Sequence, residues 1–329
     1  MKEAERFPVN HPKKKRIGLL AALVLASALF SGCFENVTPT EGVGDPTEIE
    51  SEDPTIPQTD AEPSRDGGRY AYFHAEKADG PEDAKIDVSA LSDGYVAVSS
   101  TSEERLKFQV RFGDLTYNYD LSSDGTPSVF PLQCGNGTYL FRIMENVSKS
   151  SYAEKYSVSA DVVLTDEFAP FLINSDYVDY TADSYAAKTA YELTLGTKTD
   201  VEAIKRIYDY VCLNIRYDYE KAKTVTAGYM PVPDETLRSR KGICFDYAAL
   251  TAAMLRSLGV PTKMVFGYVA PKGLYHAWNM FYTEETGWVT VSFEVKGGDW
   301  CRIDLTFSAN GADPSFIGDG TNYTDVYYY

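Results

Sequence analysis

The sequence predicts an α+β protein, with a small antiparallel β-sandwich preceding a domain of helices packed on a sheet. Three observations carry this expectation. Apolar and polar residues alternate with period two between residues 106 and 121, the mark of half-buried strands. Apolar residues recur at helical spacing between Ile204 and Ile215. A second helical run opens at Cys244 and is followed by alternating segments around His276 and Asp304. The 329 residues, 44% of them hydrophobic, allow about two domains with real cores.

Taken from the start, Lys13, Lys14, Lys15 and Arg16 precede the apolar run Ile17 to Phe30, which ends at Ser31, Gly32 and Cys33. A charged stretch, an apolar stretch and small residues form a secretory signal pattern. Fourteen helical residues reach only about 21 Å, short of a hydrocarbon core of about 30 Å, so a mature transmembrane helix is not expected. Leu29-Phe30-Ser31-Gly32-Cys33 resembles a bacterial lipobox, which implies lipidation of Cys33 after loss of residues 1–32. The expected location is then outside the cytoplasm, anchored to the membrane through lipid.

Residues 1–32 carry a net +4, so their removal takes the chain from -17 to -21. Much of that acidity lies in residues 33–68, which hold ten acids against Arg65 alone and are punctuated by Pro39, Pro46, Pro54, Pro57 and Pro63. Such a segment buries too little apolar surface to offset its chain entropy and is expected to be an extended tether. A balance this acidic also excludes nucleic acid as a partner, since phosphate binding needs clustered Lys and Arg. Three histidines leave no room for a His-rich metal centre, and no cofactor is implied.

The β-sandwich is expected over residues 69–166. Leu106, Phe108, Val110 and Phe112 alternate with polar residues, as do Leu115, Tyr117, Tyr119 and Leu121. Turn signals fall at Gly113-Asp114, Asp124-Gly125 and Gly135-Asn136-Gly137, and further strands are expected at Tyr139 to Met144 and Tyr156 to Leu164. This segment reads as a spacer or packing partner, or as a binding module. His74 has no matching cysteine or carboxylate pattern.

The second domain, residues 167–329, begins its helical pattern near residue 182. Thr199 is the expected N-cap of the helix carrying Ile204, Ile207, Val211 and Ile215, with Glu202 three residues on as in a capping box. Cys212 on its apolar stripe is expected to be buried. A run from Cys244 through Leu250, Ala253, Met254 and Leu258 stops at Gly259 and Pro261. Cys244 therefore falls in the first turn of a helix, where the unpaired N–H groups and the macrodipole favour a thiolate. His276 is the sole histidine of the C-terminal two thirds and could take up the thiol proton. Trp300, Arg302, Asp304 and Thr306 alternate with Cys301, Ile303, Leu305 and Phe307, which puts Asp304 on the polar face of a strand, where it could orient the imidazole.

The motifs Gly242-Ile243-Cys244-Phe245-Asp246-Tyr247-Ala248, Leu258-Gly259-Val260-Pro261, Gly267-Tyr268, His276-Ala277-Trp278-Asn279 and Trp300-Cys301-Arg302-Ile303-Asp304 resemble, in order, the transglutaminase-like superfamily. The resemblance covers roughly residues 185–310. It implies a papain/transglutaminase-like fold with Cys244 as nucleophile, His276 as general base and acid, and Asp304 as the orienting carboxylate, and Tyr217 falls in the matching Tyr-containing segment. Tyr217 and Trp278 are candidate oxyanion or cleft residues. The tryptophan-to-aspartate stretch lies later than usual, which implies an inserted hairpin through Lys296-Gly297-Gly298-Asp299 and makes Glu294 and Asp299 rivals of Asp304. The expected substrate is a protein or peptide, cell-wall peptide included, hydrolysed through a thioester. Protein crosslinking and a non-catalytic binding module are the alternatives. A zinc site from Cys244, His276, Cys301 and Asp304 lacks the usual paired ligand spacing. Cys134, Cys212 and Cys301 allow at most one disulfide.

Overall fold

The computed structural model describes residues 68–290, 293–312, 317 and 320–329. The expected signal segment, Cys33 and the acidic tether lie outside the described residues. Among the described residues no helix is long and apolar enough to cross a membrane.

The N-terminal part is built from two antiparallel sheets. One joins β1 (Ala84–Asp87), β2 (Tyr95–Ser100) and β5 (Ser128–Pro131). The other has the order β4-β3-β6-β7, from β3 (Leu106–Phe112), β4 (Leu115–Leu121), β6 (Gly137–Ser148) and β7 (Ser151–Val162). The alternation in β3 turns Leu106, Phe108 and Val110 inward. Phe108 stacks on Phe130 of β5 at 4.9 Å between ring centroids, joining the two apolar faces. β6 and β7 run longer than the sequence pattern implies, because their 12-residue arms pair beyond the apolar core. His74, read as isolated, is tied to Asp87, whose Oδ2 lies 3.1 Å from His74 Nδ1 and accepts the His74 backbone N–H at 2.8 Å.

The C-terminal part packs helices on a sheet of order β14-β11-β10-β15. Its elements in chain order are α1 (Tyr185–Thr194), α2 (Asp200–Asn214), β8 (Arg216–Tyr217), α3 (Tyr219–Thr224), α4 (Pro233–Ser239), β9 (Lys241–Gly242), α5 (Cys244–Ser257), β10 (Thr262–Val269), β11 (Leu274–Thr283), β12 (Gly287–Thr290), β13 (Phe293–Val295), β14 (Asp299–Ile303), α6 (Leu305–Ala309) and β15 (Tyr323–Tyr328). Helix α2 starts as its cap predicts, with Thr199 Oγ1 accepting the Glu202 N–H at 3.1 Å. The reciprocal bond from Glu202 reaches Lys198 N rather than the cap residue itself.

Two expectations at the sheet edge need correction. β12 and β13 pair with each other in a separate two-stranded sheet, so the Lys296–Gly298 turn does not cap a hairpin but carries the chain to β14. Strand β14 then ends at Ile303, one residue before Asp304. Asp304 instead caps α6, its Oδ1 accepting the Phe307 N–H at 3.0 Å. A carboxylate that can answer an exposed N–H favours helix initiation over continued strand, although the apolar alternation runs on to Phe307. Nor do Cys134, Cys212 and Cys301 form a disulfide; all three are free thiols.

Helix α5 is the centre of the fold. Thirteen of its fourteen residues are buried, Arg256 included. A guanidinium without solvent needs acceptors, and Arg256 has three backbone carbonyls at 2.8 Å: Thr262 at the start of β10, Ile173 in the connection between the two parts, and Tyr329 after β15. Burial pulls its pKa down to about 10, so it stays charged at neutral pH. The core is continuous across both parts, from Ile86 and Phe108 through α2 and α5 to Leu305 and Tyr329. Replacing Arg256 by methionine removes three buried hydrogen bonds from a charged donor, at about 1.5–3 kcal/mol each, and leaves Tyr329 O with only the Met264 N–H. Urea denaturation is expected to show a loss of about 3 kcal/mol or more; a change below about 1 kcal/mol would deny this residue its structural role.

Candidate active site

Cys244 is the first residue of α5 and only 7% exposed. Its approach is held by two short strands: β8 and β9 pair in parallel, with Tyr217 opposite Gly242, and Asp218 N donates to Gly242 O at 2.9 Å. Two residues beyond Cys244, Asp246 is fully buried. Its Oδ2 accepts the Ile243 N–H at 2.8 Å and the Lys221 ammonium at 2.7 Å, and its Oδ1 accepts the Tyr229 hydroxyl. Lys221 also donates to the Tyr229 oxygen. The carboxylate thus answers one first-turn N–H and ties α3 and the loop after it to the start of α5. Gly242 makes room for it, because a Cβ there would lie 2.6 Å from Asp246 Cβ.

The sheet presents His276 at the same end. In β11, Ala277 and Phe281 join the core around α5, and Asn279 Nδ2 donates to Ala248 O of that helix at 2.9 Å. Phe245, next to Cys244, packs edge-on against Phe266 at 5.0 Å, and Phe266 is the cross-strand partner of Ala277. Burial pushes the Tyr275 hydroxyl pKa up, with Tyr268, Tyr327 and Cys244 adding to it, so Cys244 and the start of β11 are within electrostatic reach.

His276 is 2% exposed, and its Nε2 lies 2.8 Å from Asp304 Oδ2. Asp304 faces three polar groups: His276 Nε2 and, at 3.0 Å, the Tyr323 hydroxyl on one oxygen, and the Phe307 N–H on the other. With Nε2 carrying the proton toward the carboxylate, Nδ1 keeps the lone pair that a base requires. The ring is further held by Phe307 at 4.5 Å and by Trp278 at 6.1 Å. The rival carboxylates Glu294 and Asp299 are exposed, away from this arrangement.

Tyr217 is buried beside the segment leading to Cys244, as its strand pairing dictates. Trp278 does not line an open cleft. It is 1% exposed, packs with Val265, Val269 and Tyr323, and its Nε1 has no hydrogen-bond partner among the described residues. Gly267 allows this, since a Cβ there would lie 2.7 Å from the Trp278 ring. Burial disfavours the thiolate of the three other described cysteines, pushing Cys212 up to about 12 and raising Cys134 and Cys301 as well. Among the described residues no group of three or more His, Cys, Asp or Glu is arranged to hold a metal ion.

The Asp246–Lys221–Tyr229 tie was not singled out in the sequence, and Tyr323 stood out only as part of the tyrosine-rich run 323–329, with no role beside Asp304. Asp246 had a local signal, an acid three residues after the cap position Ile243. Tyr323, 19 residues from Asp304, had none.

Residues 187–293, about a third of the chain, match the model of the transglutaminase-like superfamily, so the chain carries a transglutaminase-like segment. The match includes Cys244 and His276 and ends before Asp304. Among curated proteins, the UPF0252 protein MJ1282 of Methanocaldococcus jannaschii is 42% identical over 66 residues, covering 18% of this chain and 19% of that protein. Kyphoscoliosis peptidase of Mus musculus is 27% identical over 147 residues, 42% of this chain and 20% of the peptidase. A protein-glutamine gamma-glutamyltransferase of Pseudomonas aeruginosa is 33% identical over 81 residues, 21% of this chain and 12% of that enzyme. The matches thus span about a fifth or less of these relatives' own lengths.

The geometry sets two measurable expectations. Nitrogen-15 NMR of the neutral protein should find His276 protonated at Nε2 and bare at Nδ1; the opposite tautomer would contradict the Asp304 contact. Tyr323→Phe removes one donor to a buried carboxylate and is expected to cost about 1.5–3 kcal/mol in urea denaturation.

Proposed function

We propose that this chain is a cysteine-dependent enzyme that attacks a carboxamide or peptide carbonyl through Cys244 and passes through a thioester. The observation that carries the reading is the His276 Nε2 to Asp304 Oδ2 contact of 2.8 Å on the strand packed against the helix that Cys244 begins. It leaves the basic nitrogen of a buried, oriented imidazole for proton transfer. The transglutaminase-like match over residues 187–293 supports the same chemistry.

In this reading His276 Nδ1 takes the Cys244 proton, and the helix N-terminus favours the resulting thiolate. Sulfur bonds to the carbonyl carbon, the carbon–nitrogen bond breaks, and the imidazolium returns its proton to the departing amine. Asp304 holds the ring in its tautomer and stabilises the imidazolium without being protonated. The backbone N–H of Cys244 and a further donor, Tyr217, steady the oxyanion. Water, activated by His276, then releases the acid. Hydrolysis is favoured over transfer to an amine because crosslinking makes the narrower demand of a second substrate channel. Two curated relatives bear the names of a peptidase and of a glutamyltransferase, so the acceptor is the point of distinction.

The proposed setting is the cell envelope. The basic run Lys13 to Arg16, the apolar run Ile17 to Phe30 and Cys33 support a lipid-anchored, extracytoplasmic protein acting on protein or peptide, cell-wall peptide included.

Alkylation by iodoacetamide across pH tests the chemistry. Cys244 should react faster below pH 8 than a free thiol and faster than Cys134, Cys212 and Cys301. His276→Ala should abolish that advantage and lower turnover by about 10²–10⁴-fold. A Cys244 no more reactive than a free thiol sinks the proposal. Incorporation of a primary amine into a glutamine peptide, faster than its hydrolysis, would replace hydrolysis by acyl transfer. A parallel labelling with radioactive palmitate should mark the wild type and not Cys33→Ser.

A further inference from the structure

A cavity of about 370 Å³ opens at the junction of the two parts of the molecule. Its walls come from the Leu132–Asn136 turn and Leu164 of the β-sheet part, from Glu167, Phe168, Pro170 and Phe171 in the connection, and from Lys263 and Trp300 of β10 and β14. Lys263 pairs across the sheet with Met280, four residues along β11 from His276, so the cavity lies about 13 Å along the strand from the imidazole. It is therefore separate from the thiol site.

The unusual member of this wall is Lys263. Its Nζ sits 3.6 Å from the centre of the Trp300 ring, 4.8 Å from that of Phe171 and 5.4 Å from that of Tyr328. Three aromatic faces hold the cation, yet aromatic faces accept none of its three N–H bonds in the manner of an oxygen. Among the described residues no carboxylate pairs with Lys263 and no oxygen accepts from it. The nearest anion from β15, Asp325, is already engaged by Arg302 at 3.1 Å and by the Tyr328 hydroxyl at 3.0 Å. Glu167 of the connection is the remaining charge that acts on Lys263.

We propose that this cavity binds a small carboxylate with an aromatic or apolar body. The carboxylate takes the Lys263 donors, and the body lies against Phe168, Phe171 and Trp300. The size and the mixture of an apolar wall with one placed charge are those of small-molecule sites. Burial pulls the Lys263 pKa down to about 8, opposed by Asp325 and Glu167. The ammonium is present below that pH and lost above it, so carboxylate binding weakens as pH rises from 7 to 9. Of the other groups facing the cavity and Lys263, which include Arg302, Asp325 and Glu167, Cys134 is raised by burial and Tyr328 is pushed up to about 12, so neither gains charge over this range.

The probe is 3-phenylpropionate, with 3-phenylpropionamide as its uncharged counterpart, added to the full chain while Trp fluorescence and melting temperature are followed. The acid should give a saturable fluorescence change and raise the melting temperature, and the amide should bind at least about tenfold more weakly. Lys263→Met should abolish the preference for the acid, Lys263→Arg should retain it, and Glu167→Gln should strengthen binding by removing a like charge. Circular dichroism of each variant separates loss of binding from loss of fold. Equal binding of acid and amide, undiminished acid binding in a folded Lys263→Met variant, or no binding of the acid up to about 10 mM would overturn the proposal.

Discussion

A helix with no face to water must have its polar ends answered from inside the protein, and α5 meets that condition. Two fully buried charges do the work: Asp246 near its start and Arg256 near its end. Asp246 binds the Ile243 N–H and gathers Lys221 and Tyr229 from the preceding segments. Arg256 binds carbonyls from the connection, from β10 and from the residue after β15. Each is costly to bury alone and stable only when its hydrogen bonds are complete. The same constraint sets the position of Cys244, which is the first residue of a helix clamped at both ends. Its place is thus decided by the packing of the whole C-terminal part.

The sheet has two faces with separate tasks. One face of β11, through Ala277, Asn279 and Phe281, rests on α5, and the other carries Trp278 into a small cluster with Val265, Val269 and Tyr323. His276 alternates with Ala277 and so stands on the Trp278 face, in the part of β11 beyond its pairing with β14. Because β14 stops at Ile303, the space beside His276 is taken by Asp304 and α6 rather than by a further strand residue. One carboxylate then serves two structural demands, as N-cap and as imidazole partner. The C-terminal strand adds Tyr323 to the same oxygen, so the orientation of His276 depends on elements more than 40 residues apart in the chain.

The β-sheet part is more than an appendage. Tyr117 and Tyr119 of β4 meet Tyr329 at 5.8 and 5.6 Å, and Tyr329 in turn meets Phe266 at 5.5 Å. Rings from β4 therefore continue into those beside Phe245 and Cys244. The stacked and edge-on contacts make one apolar body of both parts. Separate melting of the two parts is not expected from a core joined in this way.

Local patterns determined a good deal on their own. Strands β3 and β4, the Thr199 cap of α2 and the span of α5 up to Gly259 follow from periodicity and end signals, because these depend on neighbours within a few residues. The proposal that Cys244 and His276 act together has a different origin: in a chain with three histidines, few partners compete. The motif order carried the family resemblance. What tertiary structure alone decided were the relations without local sequence signal. Asp304 reads as a strand residue until its carboxylate finds the Phe307 N–H, and Trp278 reads as a cleft residue until Gly267 lets it bury. Arg256 resembles any solvent-facing helix residue until three distant carbonyls surround it. Lys263 likewise resembles a surface lysine until Phe171 and Trp300 enclose it. In each case the deciding term is burial, which raises the cost of an unanswered polar group and is set by chain segments far away in sequence.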